Sequence, residues 1–242
     1  MNPNDPNIAL LEVVAERLGD DLCRQMVFVG GAVAGLLITD PAMPAIRPTE
    51  DVDLLCQALV LADYHQTERA LRTRGFVPDM RPAAPVCRWT IGSVVVDVMP
   101  TLEQVLGFAN RWYPMVLATA QPLALPSGRV IRLITAPVFL ATKLEAFDGR
   151  GRGDFLFSHD LADLIAVIDG RETLLAECSA GGSELVAYLR TRLQGLLATP
   201  AFMEALPGHL LGDPASQQRL PDLVARLRAL AAVGETEKTH PE

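Results

Sequence analysis

Apolar residues at Ile8, Leu11, Val14 or Ala15 and Leu18 recur at helical spacing, and they predict a first amphipathic helix that Gly19 should stop. Met26 to Val29 is a short apolar run ending at Gly30-Gly31, after which small and apolar residues return over Ala32 to Leu37. That pattern predicts strand, glycine turn, helix. Three prolines between Asp40 and Pro48 make the next stretch an irregular loop. It leads into Thr49 to Leu55, a second strand whose beginning alternates acidic and apolar residues. Leu61 to Arg74 predicts a helix with Gly75 as its left-handed cap. Val86 to Ile91 and Val94 to Met99 flank Gly92-Ser93, where glycine at the first central position suits a type II′ hairpin.

Thr101-Leu-Glu-Gln104 has the form of a capping box and predicts a helix start. A second extended pair, Pro122 to Leu125 and Val130 to Ile134, surrounds Pro126-Ser-Gly-Arg129. Thr135 should then cap a helix with Pro137 in its first turn, ending near Gly149. Gly149 to Asp154 reads as a basic loop, and from Ser158 onward only helices are expected, with leucines at helical spacing over Ser183 to Leu197 and Pro221 to Val233. Gly234 to Glu242 is a polar tail. The chain thus divides into an α/β part, residues 1–135, and a helical part, residues 136–242.

Composition narrows the classes. Half of the 242 residues are hydrophobic and 21% are charged, enough apolar material for a large core. The longest nearly uninterrupted apolar stretch, Met26 to Ile38, falls short of the roughly 20 residues that span a bilayer, so no membrane segment is expected. Met1 to Pro6 offers no basic start to a secretory signal, which points to a cytoplasmic protein. Cys23, Cys56, Cys87 and Cys178 are too far apart for a zinc knuckle or a disulfide framework and are expected to be reduced and buried. A net charge of -8 argues against a surface coated for duplex DNA, although a local basic groove is compatible with it.

The candidate chemistry sits on acidic residues. In a strand Asp51 and Asp53 project from the same face, where two carboxylates repel each other. An isolated Asp-x-Asp is more often a pair making turn contacts, but here a third carboxylate, Asp97, lies inside the apolar run Val94 to Met99. A charge there requires a partner or a metal. If the two strands are neighbours, three carboxylates converge, enough to hold two ions for an in-line displacement at phosphorus. Gly30-Gly31 at a strand-to-helix junction permits close approach of a phosphate to backbone N–H groups, though such a pair is by itself more often a turn device.

Gly30-Gly31, then Arg47-x-Thr49-x-Asp51-Val-Asp53, then a lone Asp97 in an apolar strand resembles the nucleotidyltransferase core of the DNA polymerase beta superfamily, and in particular the AbiEii/AbiGii and MenT type toxins of bacterial toxin–antitoxin systems. The similarity covers roughly residues 25 to 165 and extends to Lys143 in Ala141-Thr-Lys-Leu-Glu-Ala-Phe147, the following arginines, and Ser158-His-Asp160-Leu-Ala-Asp163-Leu164. His159 stands where that family has a lysine. The resemblance implies an α+β fold, a nucleotidyltransferase-like mixed sheet with flanking helices followed by a C-terminal helical domain.

It also implies magnesium, two ions held by Asp51, Asp53 and Asp97, and an NTP bound by Gly30, Gly31, Arg47, Thr49, Lys143 and Asp163. Asp160 would orient or deprotonate an acceptor hydroxyl. The acceptor it implies is the 3′ end of a tRNA, with a cognate antitoxin as possible partner; a small molecule or a protein hydroxyl is the alternative. Arg81, Arg88, Arg111, Arg150 and Arg152 are candidates for a basic groove, and Arg150 and Arg152 read equally well as a solvated turn. His65, His209 and His240 carry no partner pattern. A competing reading is a non-catalytic interaction module, against which three retained like charges weigh.

Overall fold

A computed structural model describes residues 5–107 and 110–234, with the backbone alone at positions 105 and 106. The expected polar tail after Gly234, His240 and the first four residues lie outside the described residues. Seven strands form one mixed sheet: β1 (Met26–Val29), β2 (Asp51–Cys56), β3 (Val77–Pro78), β4 (Arg88–Ile91), β5 (Val94–Pro100), β6 (Gln121–Ala124) and β7 (Val130–Leu133), in the order β3-β4-β5-β2-β1-β7-β6. The pairs β2/β5 and β1/β7 are parallel and the others antiparallel. β1, β2 and β5 are interior strands, which explains the apolar runs of β1 and β5 and the apolar second half of β2.

The helices are α1 (Ile8–Gln25), α2 (Ala34–Leu37), α3 (Leu61–Thr73), α4 (Glu103–Leu106), α5 (Tyr113–Thr119), α6 (Ala136–Arg150), α7 (His159–Gly170), α8 (Leu174–Ser179), α9 (Ser183–Leu197), α10 (Pro200–Ala205), α11 (Pro214–Gln217) and α12 (Leu220–Ala231). Among the described residues no strand follows β7. A continuous buried core runs from Leu11 on α1 through the sheet to Leu230 on α12. Helix α7 links the two parts, since it packs against α2 and the turn before it on one side and against α6 and α12 on the other.

The start of α12 also fastens α7 by charge. Arg219 donates from Nε to Asp169 Oδ2 at 2.7 Å and from Nη2 to Asp40 Oδ2 at 2.8 Å, and Arg226 Nη1 donates to the Asp169 carbonyl at 2.5 Å. Asp169 is 2% exposed, so its charge is affordable only because Arg219 meets it.

Local chemistry departs from the sequence pattern in several places. Gly19 breaks the helix, with φ +66°, but the chain resumes helical turns to Gln25. The expected capping box at Thr101 does not form: α4 starts at Glu103, and the Thr101 hydroxyl instead donates to the Ala58 carbonyl at 3.0 Å and accepts from the Ala58 N–H at 3.1 Å. Tertiary partners outcompeted the local cap. Thr135 holds the N-cap position of α6 without a side-chain capping bond. The helix expected over Ala32 to Leu37 is a 3-10 turn, Gly31–Val33, followed by the single turn of α2.

All four cysteines are free and buried. Among the described residues no helix is long and apolar enough to cross a membrane.

Candidate active site

The sheet register brings the acidic residues together. Asp53 pairs with Asp97 across the parallel β2/β5 ladder and with Val29 across β1, while Asp97 pairs with Arg88 across the β4/β5 hairpin. Residues directly opposite share a face, and Asp51 lies two positions before Asp53, so the three carboxylates and Arg88 occupy one face. Arg88 grips Asp97 with both arms of its fork, Nε to Oδ1 at 2.8 Å and Nη2 to Oδ2 at 2.7 Å, and the same Nη2 reaches Asp51 Oδ2 at 3.3 Å. Asp97 is 8% exposed, and this bidentate contact is what makes its charge tolerable inside an apolar strand.

Asp53 has no such partner. Burial first, and then the neighbouring Asp51 charge, push its carboxyl up to about 7 despite the opposing pull of Lys143. Burial and Asp97 raise Asp51 as well, with Arg88 working against the rise. Both groups bind protons more tightly folded than unfolded, so their stabilising contribution is complete below the ordinary carboxylate range and is lost as pH rises through the folded value. In metal-free protein the melting temperature should therefore fall as pH is raised from about 5 to about 8. Asp53→Asn should flatten that decline, which a pH series of thermal melts checks.

The two glycines separate two clusters. Gly30 has φ +73° and a Cβ there would collide with the Asp53 carboxylate. A Cβ on Gly31 would instead stand 3.0 Å from Asp163 Oδ2, 3.1 Å from Thr49 Cγ2 and 3.3 Å from Arg47 Nη2. The dipeptide thus lets the carboxylate face and a second, mixed-charge cluster close on the same backbone.

That second cluster centres on Lys143. It faces inward from α6, 7% exposed, and its Nζ donates to Asp163 Oδ2 at 2.6 Å and to Asp160 Oδ1 at 3.3 Å. Burial opposes the lysine charge, but Asp163 and Asp160 outweigh it and the net shift is upward. A solvated helix lysine is excluded. Ser158 caps α7 by accepting from the Leu161 N–H at 3.4 Å, and the first turn presents Asp160 and Asp163 on one side. Arg150 Nε and Nη2 both reach Asp160 at 2.8 Å, and Arg47 Nη2 reaches Asp163 Oδ1 at 3.4 Å. Burial tends to raise Asp160, yet Arg150 and Lys143 hold it below the usual carboxylate range.

Three contributors go beyond the roles assigned from the sequence pattern. Asn7, fully buried before α1, accepts from the Thr49 N–H at 2.8 Å and the Thr49 hydroxyl at 3.3 Å, and donates to the Arg47 carbonyl at 3.2 Å. It pins the loop that delivers Arg47 and Thr49. Asn7→Ala should cost about 1–3 kcal/mol, because buried backbone groups lose their partners. Urea unfolding checks this, and Asn7→Asp should restore less than half of the loss, since an ionised carboxylate cannot donate to the Arg47 carbonyl. Tyr113, 8% exposed, donates from its hydroxyl to Met99 Sδ at 3.4 Å, and burial and then the Asp53 charge push that hydroxyl up to about 12. The third is Arg88 in its role as counter-ion.

The other candidate arginines are paired or exposed. Arg81 bonds Asp79, Arg111 bonds Glu145 at 3.1 Å and lies over the Tyr188 ring, and Arg150 serves Asp160; Arg152 is exposed, at φ +49°. His65 faces Glu68 and His209 faces the Phe155 carbonyl, while His159 is exposed.

Among the described residues no group of three or more His, Cys, Asp or Glu forms a ready metal cage. The donor set still suits a hard cation at Asp51 and Asp53, oxygen ligands on one face whose proton affinity is raised by burial first and by a neighbouring carboxylate second. Asp97 suits it less well, because both of its oxygens already accept from Arg88. No protein-family model matches the chain, and no curated protein matches its sequence.

Proposed function

We propose that the chain is a magnesium-dependent nucleotidyltransferase that moves NMP from an NTP to a hydroxyl acceptor. The observation that carries this reading is the register of Asp53 against Asp97, with Asp51 on the same face and Gly30 packed against the Asp53 carboxylate. Carboxylates so gathered on one sheet face suit displacement at phosphorus. Asp51 and Asp53 would hold magnesium, which when bound polarises the phosphate and offsets charge developing on pyrophosphate.

The protein groups divide the remaining tasks. Gly30-Gly31 lets Asp53 on one side and Asp163, Thr49 and Arg47 on the other pack against the main chain, the helix dipole adding little because the helix behind is so short. Lys143 spends two of its three donors on Asp160 and Asp163, leaving one for a nucleotide phosphate. Asp160, held ionised, is suited to orienting an acceptor hydroxyl and is a weak base for its proton. Arg47 and Thr49 line the same side, with Asp163 fixing Arg47.

The toxin-like resemblance makes the 3′ end of a tRNA the acceptor, with an antitoxin chain as partner. The pairing of Arg81, Arg88, Arg111 and Arg150 with carboxylates favours a second reading, a small-molecule or protein hydroxyl, because four of the five arginines expected to meet RNA phosphates are already engaged. Incubating the protein with each α-labelled NTP, magnesium, and in separate arms total RNA, small polyols or aminoglycosides, and protein alone shows which species takes the label. Nucleotide binding with no labelled product in any arm would favour a non-catalytic module.

A further inference from the structure

We propose that Arg88 is a built-in counter-ion standing in for a second cation, so that without nucleotide the site takes one divalent ion, on Asp51 and Asp53, and Asp97 is not a ligand. This rests on the nucleotidyltransferase reading and departs from the two ions that the resemblance implies.

The geometry is fixed by the fold. The Gly92-Ser93 turn pairs Ile91 with Val94, and the ladder sets Arg88 opposite Asp97. Trp89, the next residue, is fully buried and anchors β4, and the Arg88 N–H donates to the Pro85 carbonyl at 2.9 Å. The guanidinium is therefore delivered to Asp97 by a rigid hairpin and does not arrive on a mobile arm. Its two contacts at 2.8 and 2.7 Å use both carboxylate oxygens, the geometry in which arginine binds most firmly.

Charge counting points the same way. Three carboxylates against one guanidinium leave two negative charges on this face, which one divalent ion neutralises. A second ion at Asp97 would have to displace a bidentate arginine and would strand it beside a dication. Asp53 lies opposite Asp97 in the ladder and no described group donates to it, while Asp51 accepts from Arg88 through one oxygen only, at 3.3 Å. The open ligands are therefore Asp51 and Asp53.

The test counts manganese ions bound to the full-length protein without nucleotide, from the free-ion signal in electron paramagnetic resonance. Wild type should bind one ion. Asp53→Asn should weaken it at least ~10-fold more than Asp97→Asn does, since the first removes a ligand and the second only a neighbouring charge. Arg88→Gln should admit a second ion; if that variant does not fold, the Asp97→Asn comparison decides alone. Two ions on wild type, or equal losses in Asp53→Asn and Asp97→Asn, would overturn the proposal while leaving the nucleotidyltransferase reading intact. Binding of no ion at all would remove both.

Discussion

Lys143→Met is expected to destabilise the fold by about 3–5 kcal/mol, the range for removing one partner of a buried ion pair. Methionine is close to lysine in length and shape, so the loss isolates charge from packing. The two carboxylates do not suffer equally. Asp160 keeps the bidentate Arg150, whereas Asp163 is left with Arg47 at 3.4 Å and is itself only 6% exposed. The burden therefore falls on Asp163, and Lys143→Met/Asp163→Asn should recover a substantial part of the loss, as residues sharing a network do not act additively. Urea unfolding gives the free energies, and the single variant should melt roughly 6–20 °C lower. A loss below about 1 kcal/mol would place the lysine in solvent and dismantle the cluster.

Gly30→Ala should reduce nucleotidyl transfer about 100-fold or more, since displacing a reacting group by about 1 Å has that effect. Gly30 combines φ +73° with ψ -167°, a region that side chains avoid, and its missing Cβ is the space occupied by the Asp53 carboxylate. Alanine would have to move the carboxylate or the turn. Gly92→Ala supplies the control: φ there is +59°, but a Cβ would meet nothing within 4 Å. Both variants should lose about 1–3 kcal/mol through backbone strain, and only Gly30→Ala should lose transfer. Equal activities in the two would detach Gly30 from the chemistry.

Much of the sheet was legible because its signals are local. The Met26 to Val29 run before Gly30-Gly31, the Gly92-Ser93 hairpin and the pair flanking Pro126 to Arg129 each announce themselves by apolar runs and turn residues, and each forms. Asp51 and Asp53 could be placed on one face from period-two geometry alone. What was hidden depends on partners far along the chain. β3 has two residues, too few for a period, and exists because β4 offers it an edge. Thr101 looked like a cap until Ala58 claimed its hydroxyl.

The site shows the same division. Asn7 lies some forty residues before the loop it pins, so no spacing rule connects them. Lys143 reads as an ordinary helix lysine until α7 lays Asp160 and Asp163 against it. Arg88 was within reach: a two-residue turn at Gly92-Ser93 sets Ile91 opposite Val94 and, counting outward, Arg88 opposite Asp97. The register was implicit in the turn, and the ion pair follows from the register.

The most direct test of the central claim compares wild type with Asp53→Asn for transfer of label from α-labelled NTP in magnesium, with a chelator arm for each. Asn keeps the shape and removes a charge that has no protein partner, so the variant should melt no lower than metal-free wild type at pH 7. The account predicts magnesium-dependent labelling by wild type, abolished by the chelator, and none above background from a well-folded Asp53→Asn. Labelling by Asp53→Asn at the wild-type rate would contradict it.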